Sequence, residues 1–526
     1  MIQNKKQKDD NRKLKPIVFF PAFLLLIFTI VLNFVNYDAF ISITTKAKDF
    51  MVIDMGWMYN LIGIMCLVMI ILAYLSPLGN VKLGGPSAKP MLKKSSWFAI
   101  TICTTIAAGI LFWGTSEPIW HLAYPPESLG IEPMSNQAAK FAMETMYLHW
   151  TFIPYAIYAV PTIVFAFAYY NMKRSFSVGS QISPLVSENK QKKLSVIIDA
   201  VVLFTVAAGI SSSLGTAILN MGGGLNAVFG VENGKTLWIF LTIIATLVFM
   251  ISSGTGLMRG IKYLSDANMY IYYLILSILL FIGPTAYYAG LGTEAFGGFL
   301  DGIFSKAMFT GTSSGDTWAS SWTMFYWSNW LAWAPVSAVF LARISYGYKI
   351  KDVIVINFIA PSIFSVLWMT IISGTALNFQ LTGRVDVLGK MNELGSEAAV
   401  YAVLGELPFS GMLSILFLVA IFISFITATD STTNAMASIC TTGIKGGEEE
   451  APLFIKIIWG STVGLVALVF ISTLGIDGIR MMSYLGGFPA LFLGIFTILS
   501  LFVIIQNPCK FDKYAKVDID KEKYNE

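Results

Sequence analysis

Two segments place aromatic side chains where they could hold a cation. In the run Ser321-Trp322-Thr323-Met324-Phe325-Tyr326-Trp327-Ser328-Asn329-Trp330-Leu331-Ala332-Trp333-Ala334-Pro335, four tryptophans fall within twelve residues. Trp327, Trp330 and Trp333 recur at i, i+3 and i+6, along one stripe of a helix. A second set, Tyr147, Trp150, Tyr155 and Tyr158, brackets Pro154. The face of an aromatic ring attracts a cation by roughly 0.5–2 kcal/mol, more when dry. Two such stripes suit a quaternary ammonium group. Pro154 has no N–H and frees backbone groups, as in the broken helices that mark substrate sites in transporters. For either segment alone, packing in a helical core is the simpler account; two in one chain favour the cage.

Other groups carry weaker signals. Ser424, Thr427, Thr429, Asp430, Ser431, Thr432 and Thr433 put hydroxyls beside a carboxylate. That suits a hard ion such as sodium, or equally interhelical hydrogen bonding. Ala107-Ala108-Gly109 allows close helix packing or a local unwinding whose carbonyls would face an ion. Cys66, Cys103, Cys440 and Cys509 are scattered and make neither a disulfide framework nor a zinc pattern. Two histidines, His121 and His149, leave little room for a transition-metal centre. Met221-Gly222-Gly223-Gly224 lacks the strand and helix that a nucleotide loop needs. Glu448-Glu449-Glu450 reads as a solvated loop.

The elements that position these residues follow from composition. Of 526 residues, 56% are hydrophobic and 13% charged, about half the charge of a soluble globular chain. This excludes a soluble enzyme, a disordered chain and a nucleic-acid binder. A bilayer core needs about 20 apolar residues per helix. Twelve runs meet that need: 16–35, 57–76, 97–116, 143–170, 195–219, 236–258, 268–292, 321–343, 353–378, 411–436, 453–474 and 482–505. With both termini cytoplasmic, 27 of the 35 Lys and Arg fall on the inner side, the bias of the positive-inside rule. The expectation is a multi-pass protein of the cell membrane in contact with lipid. Segment 293–310 has near-helical apolar spacing and reads either as an amphipathic helix at the outer interface or as an irregular loop.

At FWGTSEPIW (112–120), WTMFYWSNW (322–330), FLARIS (340–345) and GGEEEAPL (446–453), the chain resembles the betaine/carnitine/choline transporter family over nearly its whole length. The resemblance implies an all-α fold of twelve transmembrane helices. Two leading helices (16–96) precede a five-plus-five inverted repeat (97–292 and 321–505), with an outer segment at 293–320 and cytoplasmic tails at 1–15 and 506–526. It also implies a homotrimer and alternating access. The family's aromatic box would fall on Trp150, Tyr155, Tyr158 and Trp330, with Trp327 and Trp333 along the inner pathway. Tyr155 replaces a usual Trp and still gives a ring face. Asn329 replaces a usual Trp beside Trp330 and gives an amide. A sodium site would use backbone carbonyls near Cys103, Ile106 and Ser424 and the hydroxyl of Thr427, although Ala428 lacks one expected hydroxyl. A second sodium site would fall on Val206 and Ile210, which have none. The exchanger branch carries an Arg in place of sodium at the position of Asn268, which argues against the sodium-independent exchanger solution.

The leading expectation is a cation-coupled symporter that imports a quaternary ammonium compound, with sodium as the candidate ion and no cofactor. A sodium-independent carnitine/betaine antiporter is the alternative. An integral-membrane enzyme lacks a nucleophile–base pair in the sequence, and a channel does not need a tight aromatic cage.

Overall fold

The computed structural model describes residues 13–105, 109–255, 257–444 and 451–515, with side chains outside 249–262 and 430–431. It is helical throughout; among the described residues the extended pairings are two isolated bridges, Leu14 with Thr441 and Lys82 with Lys349. A helix satisfies its own backbone hydrogen bonds, as a chain crossing lipid must.

Among the described residues, nine helices are long and apolar enough to cross a membrane, and ten if the pair Lys94–Thr105 and Gly109–Ala123, bent by 56°, is one span. Twelve was the expected number. The other two expected runs, 236–258 and 321–343, are helical over Lys235–Thr255 and Thr323–Ile344. The first is 21 residues long, and its apolar sequence continues through Phe249-Met250-Ile251. The second is 22 residues long, but its Trp, Tyr, Ser and Asn lower its mean hydropathy.

That low hydropathy has a reason in the packing. Every residue of Thr323–Ile344 is buried except Asn329 and Arg343, so this helix has no face to offer lipid. It packs against Phe152–Ala166 and Ile476–Gln506. By contrast, Pro16–Val35 buries only Val18, Phe19, Ala22 and Leu26 and is apolar all round, as a peripheral helix in lipid should be.

Close packing at the centre depends on small residues. A Cβ on Gly487 would lie 2.3 Å from the Ser328 carbonyl oxygen and 2.5 Å from Ser328 Cα, both backbone atoms that cannot rotate away. Gly487→Ala is expected to cost about 1–3 kcal/mol through overpacking, read as a lower thermal midpoint in detergent. Gly290→Ala, with nothing within 4 Å of the added methyl, should leave the midpoint level or raise it, since Ala is the better helix former.

The seventh expected span, 268–292, ends earlier. Its helix runs Leu257–Ile282 and stops at Gly283-Pro284, because the residue before a proline is pushed away from helical dihedrals. A separate helix, Thr285–Asp301, follows, and then Ile303–Ala307. The helical reading of 293–310 therefore holds for most of that segment. Tyr288, Gly292, Ala295 and Phe299 form the buried stripe, and Lys306 pairs with Glu144 at 2.5 Å.

Segments rich in Lys and Arg are tied to one another. Gly84 N–H donates to Asn171 Oδ1, Lys94 pairs with Asp352 at 2.7 Å, and Lys173 donates to the Tyr514 hydroxyl. The N-terminal tail is held at the end of Ser410–Ile439, where Lys15 Nζ donates to the Ile439 carbonyl at 3.0 Å. Two connections that the sequence reading puts outside also meet, Ser128 Oγ donating to Asp316 at 2.7 Å, and Asn60 Nδ2, in the first turns of Gly56–Leu75, donates to the Phe309 carbonyl at 2.9 Å.

Candidate functional site

The fourth expected span is broken where the aromatic residues sit. Asn136–Trp150 ends, Thr151 takes φ −118° and ψ −114°, and Phe152–Ala166 begins. Pro154 removes the N–H that the Trp150 carbonyl would receive in a continuous helix. The neighbouring His149 carbonyl accepts from Trp330 Nε1–H at 3.1 Å. At the break Trp150 and Tyr155 face Trp330, and the Trp330–His149 hydrogen bond ties the two helices together.

Four of the seven expected substrate residues come together. Around Trp330 lie Tyr158 at 5.0 Å between ring centroids, Trp150 at 5.6 Å and Tyr155 at 5.8 Å, with interplanar angles of 64°, 76° and 59°. All four are at most 3% exposed. Tyr155 is anchored by its hydroxyl, 3.0 Å from Ser365 Oγ. The other three residues lie elsewhere. Trp327 meets His149 edge to face at 5.9 Å and packs on Gly63. Trp333 Nε1–H donates to the Gly209 carbonyl at 3.1 Å and to Ser213 Oγ at 3.0 Å. Half-buried Asn329 accepts from Ser483 Oγ at 3.2 Å, away from the ring cluster.

The residue that organises the cluster, Glu117, was given no role in the sequence reading. Its Oε1 lies 2.7 Å from His149 Nδ1 and 3.1 Å from His121 Nε2. Its Oε2 accepts from Trp150 Nε1–H at 2.7 Å and from the Tyr326 hydroxyl at 2.5 Å. Glu117, His121 and His149 are fully buried. An ionised carboxylate only accepts, so both facing histidine nitrogens carry protons. Four donors satisfy the buried anion without a cation of its own. The signal in the sequence was a carboxylate inside an apolar run, four residues before one of only two histidines.

The candidate sodium residues meet only in part. Cys103 and Ser424 are bridged by Asn268, whose Nδ2 lies 2.8 Å from Ser424 Oγ and 4.0 Å from Cys103 Sγ. Ser424 Oγ donates to the Ala420 carbonyl at 2.6 Å and has Tyr272 hydroxyl at 2.6 Å. Its one hydrogen and both lone pairs are therefore used. Thr427 Oγ1 donates within its own helix, to the Ile423 carbonyl at 2.7 Å. Ile106 lies outside the described residues, as does the Asp430 side chain.

Fold and site together give a multi-pass, all-helical membrane protein with four aromatic rings packed together in its interior. Residues 17–509 match the family described as BCCT, betaine/carnitine/choline family transporter. The chain belongs to this family, and it is a transporter rather than an enzyme. It is 28% identical over 487 residues to the glycine betaine transporter OpuD of Bacillus subtilis (strain 168), covering 92% of this chain and 93% of that protein. It is 28% identical over 510 residues to the ectoine/hydroxyectoine transporter of Virgibacillus pantothenticus, covering 96% and 98%. Glycine betaine transporter 1 of Vibrio parahaemolyticus is 29% identical over 425 residues, covering 81% and 79%.

Proposed function

We propose that this chain is a secondary active transporter that imports a quaternary ammonium compound of the betaine, carnitine or choline type, coupled to a cation. The observation that carries this reading is the convergence of Trp150, Tyr155 and Tyr158 on Trp330 at centroid separations of 5.0 to 5.8 Å. Ring edges at that distance touch, so an ammonium group enters by parting them and then meets a ring face on several sides. The helix break at Thr151 supports the reading, because a break gives the rings a place to move without unwinding a whole span. Substrate then enters from one side and leaves to the other by alternating access. The two five-helix repeats, 97–292 and 321–505, rock against each other behind two leading helices, 16–96. In this reading both tails, 1–15 and 506–526, are cytoplasmic, 293–320 lies along the outer face, and the assembly in the cell membrane is a homotrimer.

One observation favours a second reading. Val206 and Ile210, where the resemblance puts a second sodium site, carry no hydroxyl, and Ala428 lacks one at the first. That fits exchange of one betaine-type substrate for another.

Purified protein in liposomes separates the two. Labelled glycine betaine, carnitine and choline are presented to empty vesicles and to vesicles preloaded with unlabelled betaine. Accumulation in empty vesicles under an ion gradient supports symport. Uptake confined to preloaded vesicles establishes exchange and overturns coupling. One cation crossing 100 mV supplies about 2.3 kcal/mol, and each tenfold gradient about 1.4 kcal/mol. The symport reading therefore predicts accumulation of up to several hundredfold.

A further inference from the structure

The hydrogen-bond pattern around Glu117 leaves one basic atom free. His149 is engaged at both ring nitrogens: Nδ1 faces Glu117 Oε1, and Nε2 is 3.0 Å from Thr323 Oγ1. His121 Nε2 is engaged by Glu117. His121 Nδ1 is buried and has no hydrogen-bond partner among the described residues. With Nε2 carrying its hydrogen, Nδ1 holds an unshared lone pair. Burying such a pair unmet costs free energy, so it calls for a function or a partner.

We propose that His121 and Glu117 form a proton-binding site that couples transport to the proton gradient. This rests on the symport reading above and names its cation. The step is a simple protonation. A proton from water adds to the Nδ1 lone pair, the Nε2–H bond to Glu117 is kept, and a neutral imidazole becomes an imidazolium. The buried anion then has a full counter-charge beside it, and the pair is neutral overall. Release of the same proton to the inner side reverses the step.

The surroundings suit a group that alternates between these two states. His121 is enclosed by aromatic rings, with Trp322 at 4.6 Å, Trp318 at 5.0 Å and Phe141 at 6.3 Å between centroids. These stabilise a cation without fixing one. The opposing charge comes from the Ile476–Gln506 helix. Arg480 lies 4.7 Å over the Trp322 ring and 3.6 Å from Asp477, with Tyr484 on the same helix. Tyr326 and His149 are the other titratable groups facing the pair. The link to substrate is direct: Oε2 of the same carboxylate holds Trp150 Nε1–H, and Trp150 is a wall of the ring cluster. When His121 is protonated, Glu117 shares its negative charge with an imidazolium, and its hold on Trp150 and Tyr326 weakens. By linkage, whatever protonation does to the cage, substrate in the cage does to protonation.

The test follows lumenal pH with an entrapped fluorescent indicator in proteoliposomes, at clamped potential and without sodium, on adding glycine betaine outside. The expected result is saturable acidification that tracks labelled betaine uptake. Uptake into empty vesicles without acidification overturns this proposal and leaves the transport reading standing. No betaine transport of any kind, counterflow included, overturns both. In His121→Gln the side-chain amide N–H can still meet Glu117, but no basic nitrogen is left. Betaine-driven acidification should fall by about tenfold more than counterflow does. Equal losses, or wild-type acidification, overturn the assignment to His121. The wild-type measurement needs no variant to fold.

Discussion

Replacing Trp330 by alanine should raise the half-saturation concentration for glycine betaine by about 30-fold or more. Trp330 is the ring that the other three contact, at 5.0, 5.6 and 5.8 Å. Its loss removes one cation-facing surface and frees the others to collapse. A desolvated cation–π face is worth about 2 kcal/mol, and about 1.4 kcal/mol is tenfold in affinity. Trp330 Nε1–H also holds the His149 carbonyl, which positions the break that carries Trp150. Trp330→Phe keeps a face and loses that hydrogen bond, so it should fall between wild type and alanine. Initial-rate uptake against concentration checks both. A half-saturation unchanged in a well-folded Trp330→Ala protein would remove Trp330 from the site.

Glu117→Ala should produce the largest loss of stability of any single change described. It removes an anion that receives four hydrogen bonds, from His121, His149, Trp150 and Tyr326. Each buried donor left without a partner costs roughly 1–3 kcal/mol, and four lose theirs together. The expected result is a small monodisperse fraction on size exclusion and a steep fall in thermal midpoint. Glu117→Gln keeps one accepting oxygen but turns an N–H group toward the remaining donors, so it should be intermediate. A Glu117→Ala protein as stable as wild type would show that these donors find other partners.

How much was legible in the sequence differed from place to place. Long apolar runs were legible because lipid imposes length and hydropathy together: Leu453–Leu474 begins and ends where the run does. The boundary at Gly283-Pro284 was passed over because apolar content continues through it while the dihedral restriction sits on a single residue. Thr323–Ile344 was counted among the apolar runs, yet it is too polar on average to pass as a lipid-facing span. Burial on every side, which no local pattern records, is what permits it. In the cluster, helical spacing located Trp150, Tyr155, Tyr158 and Trp330 but could not sort them from Trp327 and Trp333. All six are aromatic and in register; only the break at Thr151 turns some of them toward each other. Glu117 was visible as a lone carboxylate. Its partners His149 and Tyr326 are 32 and 209 residues away, a meeting that one-dimensional spacing does not encode. The same holds for Asn268, which reaches Ser424 across 156 residues.

The central claim is that the four-ring cluster recognises the positive charge of a quaternary ammonium group. The most direct test is binding to the purified protein, followed by tryptophan fluorescence, since Trp150 and Trp330 are two of the four rings. Glycine betaine is compared with its carbon isostere, in which a tert-butyl group of the same shape replaces the trimethylammonium. The account predicts saturable quenching by glycine betaine, at least about tenfold weaker binding of the isostere, and loss of the difference in Trp330→Ala. Equal affinity for the two compounds in the wild-type protein would contradict it.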